Sequence, residues 1–272
     1  MLPLNRKKFI DKATVENCIL YYENNDIFLE TNKEYLLSKK ELLSHTCFTA
    51  PQLQEFIHKT RQSNYTDFTY GDYPHKKNEI KKSISLSYRS LIDCMYIQIP
   101  YFTNKLVTEV KNLLFDSNSP DLIIDLRDSP GGYTEACMDF CRLFLDETDI
   151  ALFRYKNKRV IHFKSGPCAF RFNRIFIFIN SNTASCSEIA TLALRLNLSM
   201  VTLVGSSTFG KGFGQDFIRN EKFGFSLTIP TFTWECKNAG IETLHTLIEQ
   251  DNKQHLLFKK NEDYFACVLN QL

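Results

Sequence analysis

The chain has 272 residues, 43% of them hydrophobic, enough to bury one sizeable core or a core with a small appended subdomain. Its 33 Lys and Arg against 31 Asp and Glu leave a formal charge of +2, which gives no field for steering nucleic acid or an anionic membrane. No apolar run approaches the roughly 18 residues that a membrane span needs, so a soluble, cytoplasmic chain with no membrane span is expected.

Residues 1–88 are polar and turn-rich, with short amphipathic helices predicted near Arg6–Glu23 and Ala50–Arg61. This stretch reads as a small, mainly helical accessory subdomain. In SNYTDFTYGDYPHKKNEIKK (63–82), Asn, Asp, Gly and Pro interrupt any period and basic residues accumulate, which sets a boundary near residue 88 and leaves 89–272 as a second domain. There the pattern changes to short β-branched runs, MYIQI (95–99), DLIIDLR (121–127), RIFIFIN (174–180) and MVTLVG (200–205), each a strand signal. Leu106, Val110, Leu113 and Leu114 recur at helical spacing between the first two. Ile189, Leu192, Ala193 and Leu196 do so between the last two. Alternation of this kind predicts an α/β fold, a largely parallel sheet covered by helices. Residues 249–272 read as one or two surface helices.

The nine cysteines are odd in number and contain no CxxC pair, so neither a disulfide framework nor a zinc cage is indicated and reduced thiols are expected. Cys137 and Cys141 would share a helix face as small core residues. The histidines, His45, His58, His75, His162, His245 and His255, form no HExxH or HxH cluster, so no metal or cofactor is indicated.

Three segments carry the chemistry: DLRDSPGG (125–132), NTASCSEIA (182–190) and TFGKGFGQ (208–215). Each follows a predicted strand, and the carboxyl ends of parallel strands are where such loops share a cleft. Ser185 precedes a helix whose first N–H groups lack partners, so a nucleophile there has the Cys186 N–H beside it as an oxyanion donor. Gly131 and Gly132 allow backbone N–H groups to approach a reacting carbonyl, and either supplies a second donor. No histidine is near in sequence, which leaves Lys211 as the base. A lysine accepts a proton only when neutral, so it requires burial, for which Phe209 and Phe213 are the expected source, and Gln215 is placed to hold the amine. A straight strand would separate Lys211 and Gln215 by about 13 Å, so Gly212 and Gly214 are expected to bend the chain.

In this order the segments resemble the core motifs of the C-terminal processing (tail-specific) serine peptidases, D-L-R-x-x-x-G-G, T-A-S-A-S-E-I and T-x-G-K-G-x-x-Q. The resemblance, over about residues 93–272, implies a ClpP/crotonase-like core and endoproteolysis without metal or cofactor. It places the nucleophile at Ser185, the base at Lys211 and the motif glutamine at Gln215. The implied partner is a peptide or unfolded-protein substrate, with self-association into a homo-oligomer left open. Residues 1–92 show no glycine-rich carboxylate-binding loop of the PDZ type common in the family, so a PDZ-less member maturing a dedicated substrate is expected. Cys186 replaces the usual alanine.

Other readings compete. Ser185-x-x-Glu188 fits a helix capping box, in which the hydroxyl would only satisfy the Glu188 N–H. Lys211 alone would be a solvated loop lysine, the glycines a turn, and Cys186 a nucleophile only with a histidine partner. The alternatives in function are a catalytically silent peptide-binding protein of the same fold and a crotonase-like acyl-CoA enzyme.

Overall fold

The protein, as a computed structural model, is described over residues 9–70, 87–91, 94–252, 264–266 and 268. Contacts divide the chain into two units, one of Met1–Glu79 with Arg154–Arg159 and Phe213–Thr233, the other of Ile80–Phe153 with Val160–Gly212 and Trp234–Leu272. Elements are numbered in chain order.

The first unit holds β1 (Phe9–Ile10), α1 (Lys12–Asn25), α2 (Lys33–Leu43), β2 (Phe48–Thr49), α3 (Ala50–Thr60) and β3 (Asp67–Tyr70). It also takes in β11 (Phe213–Asn220) and most of β12 (Phe225–Glu235), which is flanked by β11 and β3, both antiparallel. α1 starts where the Asp11 carboxylate accepts the Thr14 N–H at 2.8 Å. Buried Val15, Ile19, Tyr22, Leu53 and Ile57 from the helices share one core with Leu227 and Ile229 of β12. The helix at 50–60 lies where the periodicity predicts. The one at 12–25 starts later than the Arg6 expected because Phe9–Ile10 form β1, with residues 6–8 outside the described residues, and α2 was not predicted. There Tyr35, Ser38 and Leu42 face inward while Leu36 and Leu37 are more than half exposed, so the apolar pattern does not mark the buried face.

The second unit holds a five-stranded sheet in the order β10-β9-β6-β5-β4. β5 (Cys94–Gln98), β6 (Asp121–Asp125), β9 (Arg174–Ile179) and β10 (Val201–Gly205) are parallel, and β4 (Ser87–Leu91) pairs antiparallel with β5. Strands buried on both faces require unbroken apolar runs, which is why LII and IFIFI could be read directly. The helices are α4 (Asn104–Phe115), α5 (Thr134–Arg142), α6 (Cys186–Asn197) and α7 (Ile241–Asp251). β7 (Asp149–Tyr155) pairs with β8 (Val160–Lys164). One sheet face packs Cys94, Tyr96, Ile123, Phe176, Phe178 and Val204 against Tyr264 and Val268. The C-terminal stretch expected on the surface therefore contributes to this core, and the Tyr264 hydroxyl donates to the Ile179 carbonyl at 3.0 Å. No helix among the described residues is long and apolar enough to cross a membrane.

Candidate active site

All three chemistry-bearing segments leave the carboxyl ends of neighbouring parallel strands, β6, β9 and β10, as their sequence positions predict. The β6 end is fixed by a buried cluster. Asp125 accepts the Tyr96 hydroxyl at 2.7 Å and pairs with the Arg127 guanidinium, which lies over the Tyr264 ring at 4.4 Å. Beyond it, the Asp128 carboxylate accepts the amides of Asn180 at 3.0 Å and Asn182 at 2.8 Å. The Thr183 hydroxyl donates to the Leu126 carbonyl at 2.8 Å, and the Ser187 and Ser129 hydroxyls meet at 2.8 Å. These bonds lace the glycine loop to the turn that carries Ser185.

Ser185 sits at φ 55°, ψ −120°, a positive-φ conformation outside the left-handed helical well, on a sharp strand-to-helix turn. The hydroxyl makes no hydrogen bond that caps the helix. The Ser185 N–H donates to Glu188 Oε2 at 2.7 Å, and the Glu188 N–H goes to the Ser185 carbonyl at 2.8 Å. Both halves of the capping-box geometry are present, so the cap expected as the competing reading exists beside the serine turn, although without a cap hydrogen bond from the hydroxyl. Cys186 opens α6, and its N–H has no acceptor among the described residues.

The two glycines differ in what they face. A Cβ on Gly131, at φ 105°, would lie 2.9 Å from the Cys186 nitrogen and 3.0 Å from Ser185 Cβ. A Cβ on Gly132 would strike the Phe102 backbone, at 2.4 Å from its oxygen. Gly131 thus borders the serine turn, and Gly132 is pressed onto Phe102, whose N–H and carbonyl bond Gly131 O at 2.8 Å and the Tyr133 N–H at 3.0 Å.

Lys211 follows β10 on a loop held by the same carboxylate that takes the Ser185 N–H. Glu188, fully buried, accepts the Gly210 N–H at 2.7 Å, the Lys211 N–H at 3.0 Å and the Thr208 hydroxyl at 2.7 Å. Burial pushes the Lys211 amine below the ordinary lysine value, and the nearby Cys186 and Glu188 offset part of that fall. Of the two residues expected to supply that burial, the Phe209 ring is 55% exposed, and Phe213 packs in the first unit against Phe28 and Tyr65. Below the loop, the buried sole tryptophan, Trp234, donates its indole N–H to the Lys211 carbonyl at 3.0 Å.

The chain does bend after Lys211. The Gly212 N–H returns to the Gly210 carbonyl at 3.2 Å, and the β11 register shifts between Gly214 and Gln215. Gly214 is required there, because a Cβ would come within 2.0 Å of the Phe232 ring. Gln215 lies in the first unit, where its amide donates to the Tyr65 carbonyl at 2.8 Å. Among the described residues Cys186 has no histidine partner; its buried thiol points to the Gly132 carbonyl at 3.3 Å and is held below the usual thiol range chiefly by the Cys137 thiol. Sequence reasoning missed Glu188 as a clamp, Trp234, and His245, whose Nε2 lies 3.2 Å from the Thr208 hydroxyl. Among the described residues, no three His, Cys, Asp or Glu side chains are grouped to hold a metal.

A sequence model described as Peptidase family S41 matches residues 93–251. The chain is 32% identical over 141 residues to a carboxyl-terminal-processing protease of Synechocystis sp., covering 50% of this chain and 33% of that protein. It is 34% identical over 120 residues to the carboxy-terminal processing protease CtpA of Bacillus subtilis, covering 43% and 26% respectively. It therefore spans about a third or less of the length of these curated relatives. A solved lipoprotein structure from Streptococcus agalactiae superposes with a TM-score of 0.68 at 16% identity, over 87% of this chain and 90% of the other, and so shares its fold.

Proposed function

The chain belongs to peptidase family S41, and from that premise we propose that it is a serine endopeptidase working through Ser185 and Lys211. Neutral Lys211 takes the Ser185 hydroxyl proton as Oγ attacks the scissile carbonyl, and the N–H groups of Cys186 and Gly131 receive the developing oxyanion. The ammonium then protonates the leaving amine, which departs and leaves an ester on Ser185. Lys211, neutral again, deprotonates a water that attacks the ester. Release of the acid returns the proton to Oγ. Gln215 orients the lysine amine. Gly132 is the alternative oxyanion donor, although its approach to Phe102 favours a packing role.

One observation carries this reading: the Ser185 N–H and the Lys211 N–H bond the same oxygen, Oε2 of Glu188, at 2.7 and 3.0 Å. A loop lysine with no part in the chemistry has no need of that tether. The finer fold proposed is a ClpP/crotonase-like core in the second unit; the accessory subdomain expected over 1–88 also takes in Arg154–Arg159 and Phe213–Thr233. The proposed substrate is a dedicated peptide or protein that the enzyme matures, a reading in line with relatives named as carboxyl-terminal processing proteases. A cytoplasmic setting is proposed from the odd, scattered cysteines. Incubation with a proteome-derived peptide library should give cleavages that vanish with Ser185→Ala. Equal cleavage by that variant would exclude this mechanism.

A second reading, a silent peptide-binding protein, draws support from Cys186 and Glu188, which favour the protonated amine of Lys211. The two readings separate on a serine-directed fluorophosphonate. It labels only an activated serine.

A further inference from the structure

Thr208 follows β10 at the start of the lysine loop, and its hydroxyl has one proton to give and two lone pairs to accept with. It lies between Glu188 Oε1 at 2.7 Å and His245 Nε2 at 3.2 Å. The other three groups on that carboxylate, the N–H groups of Ser185, Gly210 and Lys211, can only donate. Glu188 is therefore an acceptor throughout, and the Thr208 proton points to it. What remains on Thr208 is a lone pair, so His245 Nε2 carries the proton on its side. Hydrogen-bond counting fixes the direction of the chain, from His245 through Thr208 to Glu188.

His245 is itself held in place. α7 packs through buried Leu244 and Ile248. Its Asp251 carboxylate accepts the Arg195 guanidinium through two 2.8 Å bonds and the Leu203 N–H at 3.0 Å, and Asn252 accepts the Gly205 N–H at 3.1 Å. The helix is thus tied to α6 and β10, the two elements that carry Ser185 and lead into the lysine loop. The imidazole also lies along that loop, with Cε1 3.7 Å from where a Cβ on Gly210 would be.

We propose that His245 is a positioning residue for the Ser185–Lys211 pair: through Thr208 it fixes the Glu188 carboxylate that holds both backbones. It touches neither reacting side chain. The proposal rests on the Ser185 and Lys211 assignment above, and removal of His245 should lower serine reactivity while leaving the fold intact.

The test is the rate constant of fluorophosphonate labelling of Ser185, with the melting temperature, for wild type, His245→Ala, His245→Gln, Thr208→Val and the His245→Ala/Thr208→Val double variant. His245→Ala and Thr208→Val should each slow labelling about tenfold, the scale of one lost hydrogen bond at a buried acceptor, at near wild-type melting temperature. The double variant should be no slower than Thr208→Val, because His245 acts only through that hydroxyl. His245→Gln, whose amide N–H can replace the Nε2 donor, should recover most of the rate. Wild-type labelling by His245→Ala, losses that multiply in the double variant, or His245→Gln as slow as His245→Ala would each overturn the proposal. Those outcomes leave the peptidase reading standing, whereas a wild-type chain that is not labelled at all would overturn both.

Discussion

Ser185 is held at a positive φ that a side chain adopts only under strain, of order 1–3 kcal/mol, and the serine turn persists because the bonds around it over-determine it. Glycine accepts such a backbone freely, whereas alanine does not. Both substitutions should abolish cleavage, but Ser185→Gly should be the more stable by about 1 kcal/mol, or roughly 2–4 °C in melting temperature. Equal melting of the two variants would mean that the turn is unstrained. Lys211 carries a second residue-level consequence. Its amine acts when neutral, so the rate must rise as pH rises through its pKa, and burial has moved that pKa down. The Glu188 charge acts in the opposite sense. Glu188→Gln should therefore slow turnover through lost hydrogen bonds while shifting the acid limb of kcat/KM to lower pH. A limb that stays put or moves up would contradict the placement of that charge beside the amine. Neither Ser185 nor Lys211 was legible alone, since S-x-x-E is an ordinary cap and a loop lysine is ordinarily solvated. Only their order with the glycine loop singled them out. His245 could not be found this way, because it lies 34 residues beyond Lys211 in the sequence and meets the site only through the fold.

At the scale of elements, the sequence was most readable where burial is on both faces. β6 and β9 are near-continuous apolar runs, and their ends place the glycine loop and the serine turn. β8 was opaque, being half-exposed to exposed along its whole length and mixing Lys and His with its apolar residues. β11 was also opaque, because its glycine and charged residues read as loop. The two glycines of the β6 loop give an element-level prediction, since they stand at different contacts. Gly131→Ala, at φ 105°, would press a methyl to 2.9 Å from Ala184 O and the Cys186 nitrogen, so it should displace the oxyanion loop, cutting kcat by about 10²–10³ and also lowering the melting temperature. Gly132→Ala would drive a methyl into the Phe102 backbone, at 2.4 Å from its oxygen, and should lower the melting temperature further with a smaller loss of kcat. The reverse pattern would reassign the donor to Gly132.

For the whole molecule, the sequence located the sheet of the second unit and missed how the first is completed. Its helices bury Ile19, Leu53 and Ile57 against Leu227 and Ile229, residues some 170 or more positions away, and no local period reports such a partner. Everything proposed about function converges on a single feature, a lysine whose pKa burial lowers, tethered to a strained serine through one carboxylate. Its most direct test is kcat/KM against pH on one cleaved reporter peptide, for wild type and Lys211→Ala. The expected result is a wild-type profile with an acid limb centred below the ordinary lysine value, and a Lys211→Ala rate at least about 10³-fold lower at every pH. A Lys211→Ala enzyme that keeps the wild-type rate or the same acid limb would show that another group takes the serine proton.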